Sequence, residues 1–119
     1  MTTNPIPIRG EVWHIRFDPA EGDEIKKVRT AVVISEDAIG RLRLKIVVPI
    51  TEWKPRYANY HWFVYLSPTS TNGLTKDSGA DAFQVKSVSE TRFLDRVGEL
   101  TPDQLDDIAN AIAICVGAP

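Results

Sequence analysis

Only one stretch of this chain repeats its apolar residues at helical spacing, and it comes last. Leu105, Ile108, Ala109, Ile112 and Val116 fall on one helix face. The start is marked by Thr101-Pro102-Asp103-Gln104: a capping threonine, a proline at the first helical position and a glutamine three residues after the cap. Gly117 stops the helix. Everything earlier is written at a period of two or in short β-branched runs, so the chain reads as a sheet carrying one terminal helix.

The strands follow from that patterning. Glu11 to Phe17 alternates, with Trp13, Ile15 and Phe17 on one face and Val12, His14 and Arg16 on the other. Thr30 to Ser35 is a β-branched run suited to burial on both faces. Leu42 to Ile50 alternates and then turns continuously apolar, with Pro49 closing it. Trp62 to Leu66, Asp81 to Val88 and Arg92 to Leu100 complete the set. Between them, Asp18 to Val28 reads as a long loop, and Glu36 to Gly40 has the length of one helical turn. Thr51 to Asn59 reads as irregular chain, and Ser67 to Gly79 as a connection with an Asn72-Gly73 turn signal. Five to seven short strands and one helix predict a compact β-barrel or curled sheet with the helix packed on it.

At 119 residues, 43% of them apolar, residues 1–119 have material for one hydrophobic core and hence one domain. No apolar run approaches the roughly 20 residues that span a bilayer, and the first residues lack a secretory pattern, so the cytosol is the expected compartment, with no membrane contact. Cys115 is the only cysteine, which excludes a disulfide framework. Two histidines on different elements and scattered carboxylates predict no metal site, and no cofactor motif occurs.

The net charge of −2 makes no global case for a polyanion partner, but its distribution is uneven. Residues 26 to 56 hold Lys26, Lys27, Arg29, Arg41, Arg43, Lys45, Lys54 and Arg56 against three acids, while Asp95 to Asp107 hold five acids against Arg96. Such segregation can build one positive face on an acidic molecule, or simply a solvated face.

An ordered set of short motifs resembles the MazF/PemK toxins. It opens with Gly10-Glu11-Val12-Trp13, Phe17-Asp18-Pro19, Gly22-Asp23-Glu24 and Arg29, and continues in Ala31 to Ser35 and Val47-Val48-Pro49-Ile50-Thr51. It resumes in Asn72-Gly73-Leu74, Asp77-Ser78, Gln84-Val85-Lys86-Ser87 and Gly98-Glu99-Leu100. Two positions depart from the family pattern: Thr30 replaces the usual proline, and Phe83 stands where many members carry an aspartate before the glutamine. In some relatives that aspartate is assigned proton transfer, so weight shifts here to Arg29, Thr51 and Glu24.

The resemblance implies a mainly β, SH3-like or CcdB-like barrel with a C-terminal helix, and a sequence-specific endoribonuclease that needs no metal. The ribose 2′-hydroxyl attacks the adjacent phosphorus, giving a cyclic phosphate and a 5′-hydroxyl. Charge gathering on the non-bridging oxygens suits a planar guanidinium, here Arg29, and a hydroxyl donor at a strand end, here Thr51. Preorganised donors of this kind contribute about 10²–10³ in rate each. Glu24 is the preferred general base, ahead of His14 and His61; it fits equally well as a surface partner of Lys26 or Lys27. Lys26, Lys27 and Arg56 are candidates for phosphates, Trp53, Tyr57 and His61 for stacked bases or antitoxin, and Gln84 for substrate contact.

The family further implies a homodimer, neutralised by a cognate antitoxin whose disordered acidic tail competes with RNA, and DNA contact only through that antitoxin. Two alternatives share the fold: a CcdB-like poison of DNA gyrase without enzymatic activity, and a catalytically silent relative that only binds an antitoxin. The ending Cys115-Val116-Gly117-Ala118-Pro119 lacks the tryptophan of the former, and Arg29 with Thr51 weighs against the latter.

Overall fold

The computed structural model describes residues 6–17, 21–24, 27–40 and 42–119. Among the described residues, seven antiparallel strands form one sheet: β1 (Glu11–Arg16), β2 (Val28–Val33), β3 (Leu44–Glu52), β4 (Phe63–Leu66), β5 (Ser78–Asp81), β6 (Lys86–Ser89) and β7 (Phe93–Glu99). The order is β4-β5-β3-β2-β1-β7, with β6 also paired to β3. β4 and β7 end the path, so the sheet curls without closing into a barrel.

The period-two reading of the sequence becomes two cores, one on each face. Val12, Val32, Val48, Ile50 and Ala80 meet Leu105 and Ile108 of the helix α1 (Pro102–Val116). On the other face Trp13, Ile15, Phe17, Ala31, Val33, Val47 and Val88 pack together, with Phe93 edge-on to Trp13. The helix ends are as the sequence predicts. The Thr101 hydroxyl accepts from the Gln104 N–H at 3.2 Å, and Gln104 Oε1 accepts from the Thr101 N–H at 2.9 Å. Gly117 closes the helix at φ +69. Ala109, however, is exposed and Ala111 takes the core position, while Val116 is 70% exposed.

Four stretches differ from the expected boundaries. β3 runs through Pro49 to Glu52, because Pro49 lies where no donor is required. Ile46 offers both its N–H, to Ser35 Oγ, and its C=O, to the Ile34 N–H, toward β2. By alternation Pro49 turns toward the other edge, and there β6 pairs only through Val47 and β5 only from Ile50. β5 occupies the end of the expected connection. Its Ser-Gly-Ala-Asp sequence carries no β-branched residue, and Gly79 is needed because a Cβ there would meet the Trp53 indole at 2.9 Å. The expected strand Asp81–Val88 is broken by a 3-10 turn at Ala82–Gln84, begun when Asp81 Oδ1 accepts from the Phe83 N–H. Around Glu36 there is a turn closed by Ile39 N–H to Glu36 C=O, with no helical segment.

Asn72-Gly73 is not a hairpin tip but a buried anchor. Asn72 Oδ1 accepts from the N–H groups of Thr69 and Leu74, and its amide donates to the Ser67 carbonyl. A Cβ on Gly73 would stand 2.2 Å from the Val97 carbonyl oxygen, and one on Gly98 2.4 Å from Asn72. The loop is thereby pressed on β7.

Glu11 ties the start of β1 to two other segments. Its Oε1 accepts from the Ile8 N–H at 2.9 Å and from Trp13 Nε1 at 3.1 Å, and its Oε2 from Arg96 Nε at 2.8 Å. Burial alone would raise this carboxyl, but the donors Ile8, Trp13 and Arg96 together hold it below its ordinary value of 4.5. A depressed carboxyl contributes stability above the ordinary range and loses it as pH falls through the folded-state value. Glu11→Gln should cost about 1–3 kcal/mol in urea unfolding at neutral pH, because charge-assisted bonds are weakened. The difference from wild type should shrink on acidification below pH 4.5, the ordinary value. A pH-independent difference would show that the charge is not what matters.

Candidate active site

The pairing of β2 with β3 brings Thr30 opposite Ile50 and so sets Arg29 beside Thr51 at the end of the ladder. Consecutive strand residues point to opposite faces, yet Val28, Arg29 and Thr30 together with Ile50, Thr51 and Glu52 line one cleft of about 550 Å³. It therefore lies across the open strand ends, where side chains of both faces are reached. His14 is its remaining wall. Arg29 is exposed, with Nη1 donating to its own Val28 carbonyl at 3.2 Å, so the rest of the guanidinium fork faces solvent. Thr51 is half-buried.

A second, smaller cavity of about 110 Å³ touches Arg29 and Thr51 from the other side, against Tyr57, Phe63 and Asp81. Its aromatic wall is packed ring against ring. Tyr57 stacks on Phe63 with centroids 4.0 Å apart and planes at 15°, and Trp53 meets Tyr57, Phe63 and Tyr65 edge-on. Tyr57 stands in a 3-10 turn (Pro55–Asn59) whose first residue is Pro55, and Arg56 lies over its ring at 5.2 Å. Trp53, Arg56 and Tyr57 are thus gathered near Arg29 and Thr51. His61 is exposed in the turn before β4 and lines none of these cavities.

Glu24 and Gln84 form a different group. Glu24 Oε1 accepts from the Glu21 N–H at 3.0 Å, its Oε2 lies 3.9 Å from Lys86 Nζ, and Gln84 Nε2 donates to the Asp23 carbonyl at 3.3 Å. These contacts hold residues 21–24 against the segment leading into β6. Glu24 lines neither cavity that contains Arg29 and Thr51. Lys27 is exposed at φ +62, a conformation rare for a side-chain-bearing residue, and its carbonyl accepts from the Phe17 N–H. Lys26 lies outside the described residues, as do Asp18, Pro19, Ala20, Ile25 and Arg41.

Two carboxylates escaped the sequence reading. Asp81 lines the smaller cavity two positions before Phe83, the residue that replaces the family's aspartate and is itself 70% exposed. Burial raises the Asp81 carboxyl, an effect partly offset by the N–H groups of Phe83 and Gln84. Asp95, on β7, places Oδ2 2.9 Å from His14 Nδ1. The only available signal was the capping pattern at Asp81; nothing local marks a pair 81 residues apart.

Among the described residues no group of three or more His, Cys, Asp or Glu is arranged to hold a metal ion. No helix of these residues is long and apolar enough to cross a membrane. The site offers a guanidinium, a hydroxyl, an imidazole with a carboxylate partner and an aromatic wall. Such a set suits a phosphodiester with its neighbouring base.

Known proteins supply the remaining link. The family model described as PemK-like, MazF-like toxin of type II toxin-antitoxin system matches residues 8–116. The endoribonuclease MazF9 of Mycobacterium tuberculosis is 31% identical over 112 residues, covering 89% of this chain and 92% of that protein. The fold is shared with MazF from Deinococcus radiodurans, at a TM-score of 0.79 and 23% identity over 96% of this chain and 99% of the other. It is also shared with a mycobacterial endoribonuclease solved in complex with its cognate antitoxin, at 0.74 and 20% over 95% and 97%. Because the family model spans all seven strands and the helix, this chain belongs to the PemK-like, MazF-like toxins of type II toxin–antitoxin systems.

Proposed function

We propose that this chain is a sequence-specific endoribonuclease toxin that cuts single-stranded RNA through attack of the 2′-hydroxyl on the neighbouring phosphorus. The observation carrying this reading is the placement of Arg29 beside Thr51 in a cleft open at the strand ends. Family membership and the endoribonuclease relative favour it over gyrase binding or a silent antitoxin partner. Arg29 clamps the scissile phosphate with parallel N–H donors, and Thr51 donates to a non-bridging oxygen as charge gathers there. Trp53 and Tyr57 stack the bases on either side, Arg56 and Lys27 follow the backbone, and His61 extends the same surface. Glu24 and Gln84 shape the loop that meets the RNA. The reaction uses no metal. The chain acts in the cytosol as a homodimer, and an antitoxin with a disordered acidic tail covers Arg29 and Thr51 in competition with RNA.

In EDTA, the purified protein should cut a long single-stranded RNA at discrete sites leaving 5′-hydroxyl ends. Arg29→Ala and Thr51→Ala should each lower the rate about 10²–10³-fold or more with the fold intact. End mapping of the fragments reads both the chemistry and the recognition sequence. No cutting by folded wild type on several RNAs would sink the enzyme reading.

For the antitoxin, a synthetic peptide of its acidic C-terminal segment should displace a short fluorescent RNA from the toxin. Ternary binding without mutual weakening would refute the shared site.

A further inference from the structure

His14 stands at the meeting point of three strands. Its Cα partner on β2 is Thr30, next to Arg29, and its partner on β7 is Asp95. The β1–β7 register shifts on both sides of this pair, between Val12 and Trp13 and again between His14 and Ile15. Irregularities of this kind re-aim side chains and recur beside active sites. The His14 side chain is 43% exposed and that of Asp95 65%, so the pair adds little to stability. Its position is more informative: His14 walls the cleft shared by Arg29 and Thr51 and also an adjoining cavity of about 290 Å³.

The hydrogen bond bears on which nitrogen of the neutral ring can accept a proton. A carboxylate only accepts, so with Asp95 Oδ2 at 2.9 Å the proton sits on Nδ1. In the neutral ring Nε2 is then the nitrogen with the free lone pair, and the ring lines the cleft. The other charged groups bordering His14 there are Arg29, Glu52 and Lys76, and the last two lie 3.9 Å from each other. Arg96, the neighbour of Asp95 on β7, is engaged by Glu11 and Glu99.

We propose that His14, oriented by Asp95, is the proton acceptor of the Arg29–Thr51 site. This rests on the ribonuclease reading and supplies the base that reading needs. Nε2 takes the proton of the 2′-hydroxyl while O2′ forms its bond to phosphorus. The P–O5′ bond breaks, the leaving oxygen takes a proton from water, and the imidazolium later returns its proton to solvent. Asp95 is a positioning residue: it fixes the tautomer and balances the charge that the ring acquires. Because acceptance needs a neutral ring, the rate rises as the pH rises.

The test is single-turnover cleavage of an RNA carrying the mapped cut site, across a pH series from acidic to mildly alkaline. Wild type, His14→Ala, His14→Gln and Asp95→Asn are compared, with melting temperature and RNA affinity measured beside them. The His14 variants should lose about 10²–10⁴ in rate with RNA affinity retained. They should also lose the rise with pH. Added imidazole should restore His14→Ala in proportion to its neutral form. Asp95→Asn should lower the rate at least about tenfold with RNA affinity unchanged. A folded His14→Gln that keeps the wild-type rate or its pH rise overturns the assignment. So does a loss explained by weaker RNA binding, a loss that imidazole leaves unrestored, or disappearance of the pH rise in Glu24→Gln instead. If wild type cuts no RNA at all, the ribonuclease reading falls and takes this proposal with it. Failure confined to the variants overturns His14 alone.

Discussion

The continuous burial of Val47, Val48, Pro49 and Ile50 in β3 is the constraint from which the rest follows. Val48 and Ile50 point into the core shared with α1, Val47 into the core around Trp13 and Phe17. One strand thus divides two apolar compartments and serves neither alone. Its partners are correspondingly many: β2 along one edge, β5 and β6 in succession along the other. A polar residue in this run would be stranded without water on either face, at a cost of several kcal/mol on transfer scales. Only where the strand leaves the core, at Thr51, can a hydroxyl be both held by a sheet and open to solvent.

That exit explains how a small acidic molecule can serve an anionic substrate. Arg29 is rooted on a strand whose other end is deeply buried, while its guanidinium remains hydrated and has no carboxylate partner among the described contacts. The surrounding donors and rings are already packed on one another or hydrogen-bonded. Tyr57 is wedged on Phe63, Trp53 lies over Gly79, and Asp95 holds the imidazole. Preorganisation of this kind spares the reorganisation that a flexible polar site would undergo as charge develops.

The sequence disclosed the parts governed by local rules. The capping box of α1 was readable from Thr101 and Gln104, and the two-faced strands from Trp13-Ile15-Phe17 and Val32-Val33. β5 was illegible because its residues were selected by a neighbour: Gly79 yields its space to Trp53, which lies 26 positions earlier. The break at Ala82 came from a single side-chain bond at Asp81, which outweighed the alternation around it. At the site, Arg29 and Thr51 carried no signal of their own and were visible only through the ordered family motifs. His14 was visible as a residue, but its meaning depended on Asp95, delivered by a pairing between the first strand and the last.

Pro49 has a consequence for how the sheet assembles. The outer edge of β3 is divided between two short strands from different parts of the chain, and nothing in their length alone would keep them in separate berths. A residue without an amide hydrogen at the junction supplies a boundary marker. A strand sliding along β3 from either side must present a carbonyl that finds no donor there. Misregistered pairings along this edge are thereby penalised, which favours one spacing between the aromatic cavity and the strand bearing Lys86.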